Sequence, residues 1–170
     1  VNRRATTALR DTTLWYTTEP TQLHNRRGED TLMNRTLLII KPDAVRMGVI
    51  GEILAQVERE GFKILDLRMV QLTREQAETF YAEHRNKPFF NELVTFITSG
   101  PIVAVLLESV ESENGVKKLR TIVGATDPLA SPPGTIRRKW GTNITQNAVH
   151  ASDSPQSAVR EIRFFFGDKV

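Results

Sequence analysis

The run Thr36-Leu-Leu-Ile-Ile-Lys41 is short, apolar and rich in residues that favour strands, and it stops at Pro42. Such a run is typical of a buried strand, and the proline marks its end. A second run, Pro101-Ile-Val-Ala-Val-Leu-Leu107, has the same character and predicts a central strand of a sheet. We arrange the other predicted elements around these two strands.

The rest of the chain, outside the first 32 residues, shows sequence patterns that are typical of helices and strands. Thr73 followed by Gln76 resembles a capping box, which marks the first turn of a helix. Ser154-Pro155 predicts another helix start, with serine as the N-cap and proline at the first helical position. The remaining predicted elements are a helix over 50–57, a strand over 62–72, helices over 91–99 and 113–123, and a strand around 147–150.

The predicted order is β-α-β-α-α-β-α-loop-β-α. This alternation predicts an α/β (α+β) fold, a ferredoxin-like two-layer sandwich in which helices cover a four-stranded antiparallel sheet. The loop in this order is the segment 124–141, which holds three prolines and which we predict to lack regular structure. Long loops inside compact domains are usually functional.

The first 32 residues differ from the rest of the chain. They contain eight threonines, five arginines and no lysine, and no helical or strand period runs through them. We therefore predict a disordered N-terminal extension over 1–32 and one folded domain over 33–170. Two alternatives stay open. The extension could be a transit peptide, although its four acidic residues argue against this, or Met33 could be the natural start.

Composition excludes several classes of protein. The 170 residues are 39% hydrophobic and 25% charged, so a wholly disordered chain is excluded. The absence of cysteine excludes a disulfide framework, a zinc finger and an iron–sulfur site. The net charge of only +3 gives no reason to expect a specific nucleic-acid partner. No apolar run approaches the roughly 20 residues of a membrane span, so we expect no membrane partner.

The segment Asn147-Ala-Val-His150-Ala-Ser-Asp-Ser154 is the densest polar cluster in the chain. It leads from a predicted strand into a helix N-terminus, which suits anions. A histidine there can act as a nucleophile toward a phosphoryl group. Glu161 follows about three helical turns later, where its carboxylate could orient the imidazole. From this spacing alone, an ordinary strand-end histidine is an equally good interpretation.

Cationic side chains near this cluster favour a phosphate ligand. Neither a P-loop nor a G-x-G-x-x-G motif occurs, so a phosphate site must be built in another way. Arg120, Arg137 and Arg138 bracket the loop together with Thr126, and arginine forks bind phosphate through two parallel hydrogen bonds. Lys41 ends the first strand, at a sheet edge where ligand contacts are common.

Six motifs in the chain stand in the order and at the spacings of one family. They are Ile40-Lys-Pro-Asp43, Tyr81-Ala-Glu-His84, Lys87-Pro-Phe-Phe90, Gly124-Ala-Thr-Asp-Pro128, Pro133-Gly-Thr-Ile-Arg137 and Asn147-x-x-His150-x-Ser-Asp-Ser154. With them the chain resembles the nucleoside diphosphate kinases over about 33–166. The resemblance implies that 33–170 is a catalytic domain with the ferredoxin-like fold. It implies ping-pong transfer of the γ-phosphate from a nucleoside triphosphate to a nucleoside diphosphate, through a phosphohistidine at His150.

The resemblance also implies the site residues and the cofactor. The implied catalytic residues are His150, Lys41, Glu161, Ser152 and Tyr81. The implied substrate-binding residues are Lys41 and Asn147 at the sugar, Arg120, Thr126 and Arg137 at the phosphates, and Phe89, Leu93 and Ile144 at the base. Mg²⁺ would enter with the nucleotide, held mainly by its phosphates, so we expect no metal-ligating residues. Stacking on an aromatic face accepts every base, which predicts broad base specificity.

The resemblance further implies a cytoplasmic homo-oligomer, either a tetramer or a hexamer. The chain departs from the family pattern near the active loop. Ala151 stands where the family usually has glycine, and a methyl group there would cost roughly 1–2 kcal/mol if the backbone needed a positive φ. Arg138-Lys139 and Thr145-Gln146 replace a glycine–acid pair and a Gly-Arg pair, respectively, which puts the packing of the loop in question.

A second function is possible on the same scaffold. The chain could be a catalytically silent regulator that binds nucleotides or single-stranded nucleic acid through Phe89 and the basic loop. The aromatic signature of RNA-binding ferredoxin-like sheets is absent from the sequence, which argues against the nucleic-acid form of this alternative.

Overall fold

The structure is a computed structural model that describes residues 33–111 and 114–169. Its elements are β1 (Arg35–Ile40), α1 (Pro42–Arg46), α2 (Ile50–Arg59), β2 (Phe62–Val70), α3 (Arg74–Phe80), α4 (Phe90–Ile97), β3 (Ile102–Ser109), α5 (Gly115–Val123), α6 (Ile136–Trp140), β4 (Val149–Ala151) and α7 (Pro155–Phe166). A 3-10 turn, Ala82–His84, lies between α3 and α4. The predicted extension over 1–32 lies outside the described residues.

The four strands form one antiparallel sheet in the order β2-β3-β1-β4. β1 is central, and it pairs with β3 on one side and with β4 on the other, where Ile39 lies opposite His150. The predicted ferredoxin-like fold is confirmed. The short β4 therefore places the candidate nucleophile directly beside the strand that leads into Lys41.

Helices cover both faces of the sheet. Because side chains on both faces of β1 are therefore buried, its sequence is a continuous apolar run. Leu37 and Ile39 pack in a core formed mainly with α3, α4 and α7. Leu38 and Ile40 point to the other face and pack in a core formed mainly with α1, α2 and α5. All four side chains are fully buried. The sheet thus holds its central strand rigidly between two cores.

Helix starts agree with the capping residues in the sequence. Both hydrogen bonds of the predicted capping box form between Thr73 and Gln76. Ser154 caps α7 by accepting from the Ser157 N–H, and Pro155 occupies the first turn. Asn114 caps α5, so this helix begins at Gly115 and not at the predicted residue 113. A glycine is required there because a Cβ would lie 2.3 Å from the Asn34 carbonyl oxygen.

The prediction of a structureless segment over 124–141 is wrong at its end, where α6 forms. This helix has five residues and one fully buried apolar side chain, Ile136, so it shows no helical period in the sequence. α1 is also missing from the predicted order, because we read Pro42 only as the end of a strand. Proline suits the first turn of a helix equally well. Within the described part of the chain, no helix is long and apolar enough to cross a membrane.

Candidate active site

A cavity of about 410 Å³ opens where the end of β1 meets β4. It is lined by Lys41, Tyr81, His84, Phe89, Glu92, Leu93, Arg120, Thr126, Arg137, Ile144, Thr145, Asn147, His150, Ala151 and Asp153. Arg138, which the sequence also placed near the phosphates, donates to the Leu129 carbonyl and does not line this cavity. All the catalytic and substrate-binding residues that the resemblance implies line it, except Ser152 and Glu161. Those two are buried: Glu161 contacts the candidate nucleophile, and Ser152 contacts Glu161. The structure therefore brings the whole implied set together.

His150 is held by a buried carboxylate. Its Nε2 lies 3.1 Å from Glu161 Oε2, and the Ser152 hydroxyl donates to the same oxygen at 2.6 Å. Glu161 is only 3% exposed and reaches His150 from the second turn of α7. Because a carboxylate only accepts, we assign the proton of the neutral ring to Nε2. The lone pair of the imidazole is then on Nδ1.

Two aromatic rings pack edge-on around the imidazole. The Phe80 ring lies 5.5 Å from the His150 ring, and the Tyr81 ring lies 6.3 Å away. The Tyr81 hydroxyl is buried and has no hydrogen-bond partner among the described residues. Burial, together with the Glu161 carboxylate, raises the pKa of Tyr81. Tyr81 therefore stays protonated at neutral pH while it lines the cavity.

Lys41 is buried, and its ammonium has two acceptors, the Asn147 amide oxygen and, at 3.5 Å, the Thr145 carbonyl. Its Nζ donates to Asn147 Oδ1 at 2.7 Å. The Asn147 side-chain NH₂ donates in turn to the carbonyls of Thr126 and Ile144, at 3.0 and 3.1 Å, which turns the amide oxygen toward Lys41. Burial, and then the nearby Arg137 guanidinium, lower the pKa of Lys41 from 10.5 to about 7. The surroundings of Lys41 therefore disfavour its charged form, which a bound anion would stabilise.

Arg137 adds a second buried cation to the same wall. Its guanidinium donates to the carbonyls of Gly124 and Val149, at 3.2 and 3.0 Å, and so anchors the loop to β4. Burial, and then Arg120, lower the pKa of Arg137 to about 10, which leaves it charged at neutral pH. Lys41, Arg137 and Arg120 thus repel one another across the cavity. A polyanion bound between them would turn this repulsion into attraction.

A left-handed residue precedes β4, but it is not the position that the sequence suggested. Among the described residues other than glycine, only Ala148 has a positive φ, at 71°. The free-energy cost expected for the methyl group of Ala151 therefore does not arise, because Ala151 has no positive φ. The Ala148 N–H donates to Asp43 Oδ2 at 2.9 Å, and its carbonyl accepts from the Lys41 N–H at 2.8 Å. These bonds hold a conformation that costs about 1–2 kcal/mol in an L-residue.

Exposed apolar side chains form the outer end of the cavity. Phe89 is 47% exposed and Ile144 is 65% exposed, and Leu93 lies one turn of α4 beyond Phe89. His84 lies beside them, with its ring 5.8 Å from that of Phe89. An open apolar slot of this kind suits a flat ring that enters from solvent.

Five lining residues are not assigned to the site from the sequence: His84, Glu92, Thr145, Ala151 and Asp153. His84 lies three positions after Tyr81, on the same side of a helical turn, and this spacing could have identified it. Asp153 belongs to the polar cluster after β4, and the Ser157 side chain lowers its pKa by hydrogen bonding. Glu92 and Thr145 are 53 residues apart, so no local pattern connects them.

Residues 33–111 and 114–169 contain no group of three His, Asp or Glu side chains that could hold a metal ion. The cavity wall does carry two carboxylates, Glu92 and Asp153. One carboxylate is enough for an ion such as Mg²⁺, which takes most of its ligands from substrate phosphates and water. The donor set therefore fits a metal that arrives with a phosphate ligand.

Comparison with known proteins identifies the family. The family model described as "Nucleoside diphosphate kinase" matches residues 34–170. A protein of that name from Archaeoglobus fulgidus is 53% identical over 136 residues, which are 80% of this chain and 88% of that protein.

Two solved structures support the same family. A nucleoside diphosphate kinase from Aquifex aeolicus is 47% identical, with a TM-score of 0.76, and the match covers 79% of this chain and 96% of that one. A nucleoside diphosphate kinase from Halobacterium salinarum, solved in complex with CDP, is 40% identical, with a TM-score of 0.74, and covers 79% and 88% of the two chains. The chain belongs to the nucleoside diphosphate kinase family.

Proposed function

We propose that this chain transfers the γ-phosphate of a nucleoside triphosphate to a nucleoside diphosphate in two steps, through a phosphohistidine at His150. The observation that carries this proposal is the pairing of His150 with the buried Glu161 in a wall that also carries Lys41, Arg120 and Arg137. A nucleophile held by a carboxylate faces a set of cations that repel one another until an anion is bound. This arrangement fits covalent phosphoryl transfer.

In the first step, the Nδ1 lone pair of His150 attacks the γ-phosphorus. The bond from phosphorus to the β,γ-bridging oxygen breaks, and the diphosphate leaves with the electron pair. The proton stays on Nε2, where the Glu161 carboxylate stabilises the positive charge that develops on the ring. In the second step, a terminal oxygen of another diphosphate attacks the same phosphorus, and the electron pair returns to Nδ1.

The other residues bind and orient the nucleotide. We assign Arg120, Arg137 and Thr126 to the phosphates, because arginine forks and a hydroxyl on that wall match phosphate oxygens. We assign Lys41 to the transferred phosphate and, with Asn147, to the sugar hydroxyls. Ser152 holds the Glu161 carboxylate in place.

The proposed cofactor is Mg²⁺. When bound, it neutralises charge on the transferring phosphate. The nucleotide phosphates would supply most of its ligands, and Asp153 is the ionised carboxylate of the cavity best suited to support it.

The direct test of this function is transfer from ATP to several diphosphates. Because Phe89, Leu93 and Ile144 offer only apolar surface to the base, kcat/KM for GDP-, CDP- and UDP-type acceptors should agree within about tenfold. Double-reciprocal plots at several fixed ATP concentrations should be parallel. Binding without any transfer would instead support the silent regulator, and strict selectivity for one base would contradict the stacking argument.

The activity should depend on pH through Lys41. The ammonium is the form that binds phosphate, and its pKa in the free enzyme is about 7, so kcat/KM should fall as pH rises above about 7. Bound phosphates raise the pKa of Lys41, so the fall in kcat should lie at higher pH. We expect the fall in kcat/KM to disappear in Lys41→Arg, whatever activity that variant retains, because a guanidinium stays charged. If it persists, another group is responsible.

We also propose that the chain assembles as a homo-oligomer, a tetramer or hexamer, and acts in the cytoplasm, as the family resemblance implies. β2 is an edge strand of nine residues, and it exposes Leu67 and Met69. A long unpaired edge with exposed apolar side chains is a ready site for pairing with another copy. Light scattering should give an oligomer for the parent and a smaller species for Met69→Arg.

A further inference from the structure

The two walls of the outer slot come from distant parts of the chain. Phe89 and Leu93 belong to the start of α4, whereas Ile144 belongs to the segment 141–147 that follows α6. Among the hydrogen bonds of the described residues, a single one joins these two walls, from the Thr145 hydroxyl to Glu92 Oε1 at 2.8 Å. Both residues of this bond line the cavity.

Thr145 is presented to Glu92 by a fixed backbone. The N–H groups of Thr145 and Gln146 both donate to Asn143 Oδ1, at 3.0 and 2.8 Å. The Ile144 carbonyl accepts from the Asn147 side chain, so the backbone of Ile144, directly before Thr145, is also held in place. These bonds therefore hold the backbone of Thr145 in place, and Glu92 accepts from its hydroxyl from the first turn of α4.

From this geometry we propose that the Thr145–Glu92 hydrogen bond sets the width of the base-binding slot, so that Thr145 and Glu92 are positioning residues for every nucleotide. The bond fixes the distance between Ile144, next to Thr145, and Phe89, one turn from Glu92. Purines and pyrimidines have the same ring thickness, so a slot held at one width strengthens stacking of all bases by the same factor. This inference rests on the proposed function, in that the slot receives a nucleobase.

The test is the Kd of unphosphorylated protein for ADP, GDP, CDP and UDP, measured by calorimetry. Thr145→Val removes the hydroxyl and keeps the shape of the side chain. We expect it to raise all four Kd values about threefold to tenfold, the effect of one exposed hydrogen bond that holds the two walls together. The Kd for pyrophosphate, which has no base, should stay the same. Thr145→Ser keeps the hydroxyl and should restore nucleotide affinity.

A double-mutant cycle tests the pairing itself. Glu92→Ala should raise the nucleotide Kd by a factor similar to Thr145→Val, and the double variant should be no weaker than either single one. Additive losses, an effect on one base only, or an equal loss of pyrophosphate affinity would each overturn the inference. Because the readout is binding and not turnover, a failure of phosphate transfer would be recognised separately.

Discussion

The His150→Ala variant is expected to lose γ-phosphate transfer by roughly 10³-fold or more, because it removes the nucleophile on which the covalent intermediate forms. Glu161 is engaged with Ser152, and the Tyr81 hydroxyl is kept protonated by burial, so neither replaces the imidazole. The cations of the wall remain, and nucleotide affinity should change little. A coupled assay of triphosphate formation and calorimetry with ADP measure the two effects separately.

The control for this variant is His24→Ala, which removes a histidine far away in the sequence and should keep the parent rate. Both variants should show the same far-ultraviolet circular dichroism as the parent. Transfer by His150→Ala at a rate within tenfold of the parent would mean that phosphate passes directly between the two nucleotides, and the covalent mechanism would be wrong.

Lys41→Met is expected to reduce kcat about 10²- to 10³-fold, the usual effect of removing one preorganised group that stabilises charge in the transition state. Methionine has a similar length and suits a buried position, so the fold should tolerate it. The ammonium is the cation that Asn147 directs, and a thioether cannot replace its charge. Steady-state kinetics at saturating substrates measure the loss. Lys63→Met, on the exposed side of β2, removes a lysine outside the cavity and is the matched control.

The same variant should lose part of the pH dependence of folding stability. The pKa of Lys41 is 10.5 in the unfolded chain and about 7 in the folded one, so between these pH values the unfolded chain binds one more proton. Parent stability therefore rises with pH across this window, and the variant lacks this contribution. Equal pH profiles of urea unfolding for both proteins would show that Lys41 is not held in this way.

Much of the fold could be predicted because its signals are local. β1 and β3 are continuous apolar runs, and the starts of α3 and α7 carry their own caps. α6 could not be predicted, since five residues with one buried side chain show no period. The left-handed backbone at Ala148 could not be predicted from the sequence either, because an alanine does not indicate a positive φ.

The candidate site was predictable where spacing along one helix decides a contact. Glu161 follows His150 by eleven residues and lies about two turns into α7, and this placed the carboxylate at His150. The bond between Glu92 and Thr145 depends instead on how α4 and a distant turn pack together, which no sequence period records. The lowered pKa of Lys41 likewise results from burial that only the assembled fold creates.

The measurement that tests the central claim most directly is the isolation of the phosphorylated protein. Incubation with γ-labelled ATP and Mg²⁺, without an acceptor, should give an acid-labile, base-stable phosphoprotein whose label maps to His150 by mass spectrometry. Addition of a nucleoside diphosphate should then remove the label from the protein and return it as the triphosphate. The absence of label, its location on another residue, or its persistence in His150→Ala would contradict transfer through His150.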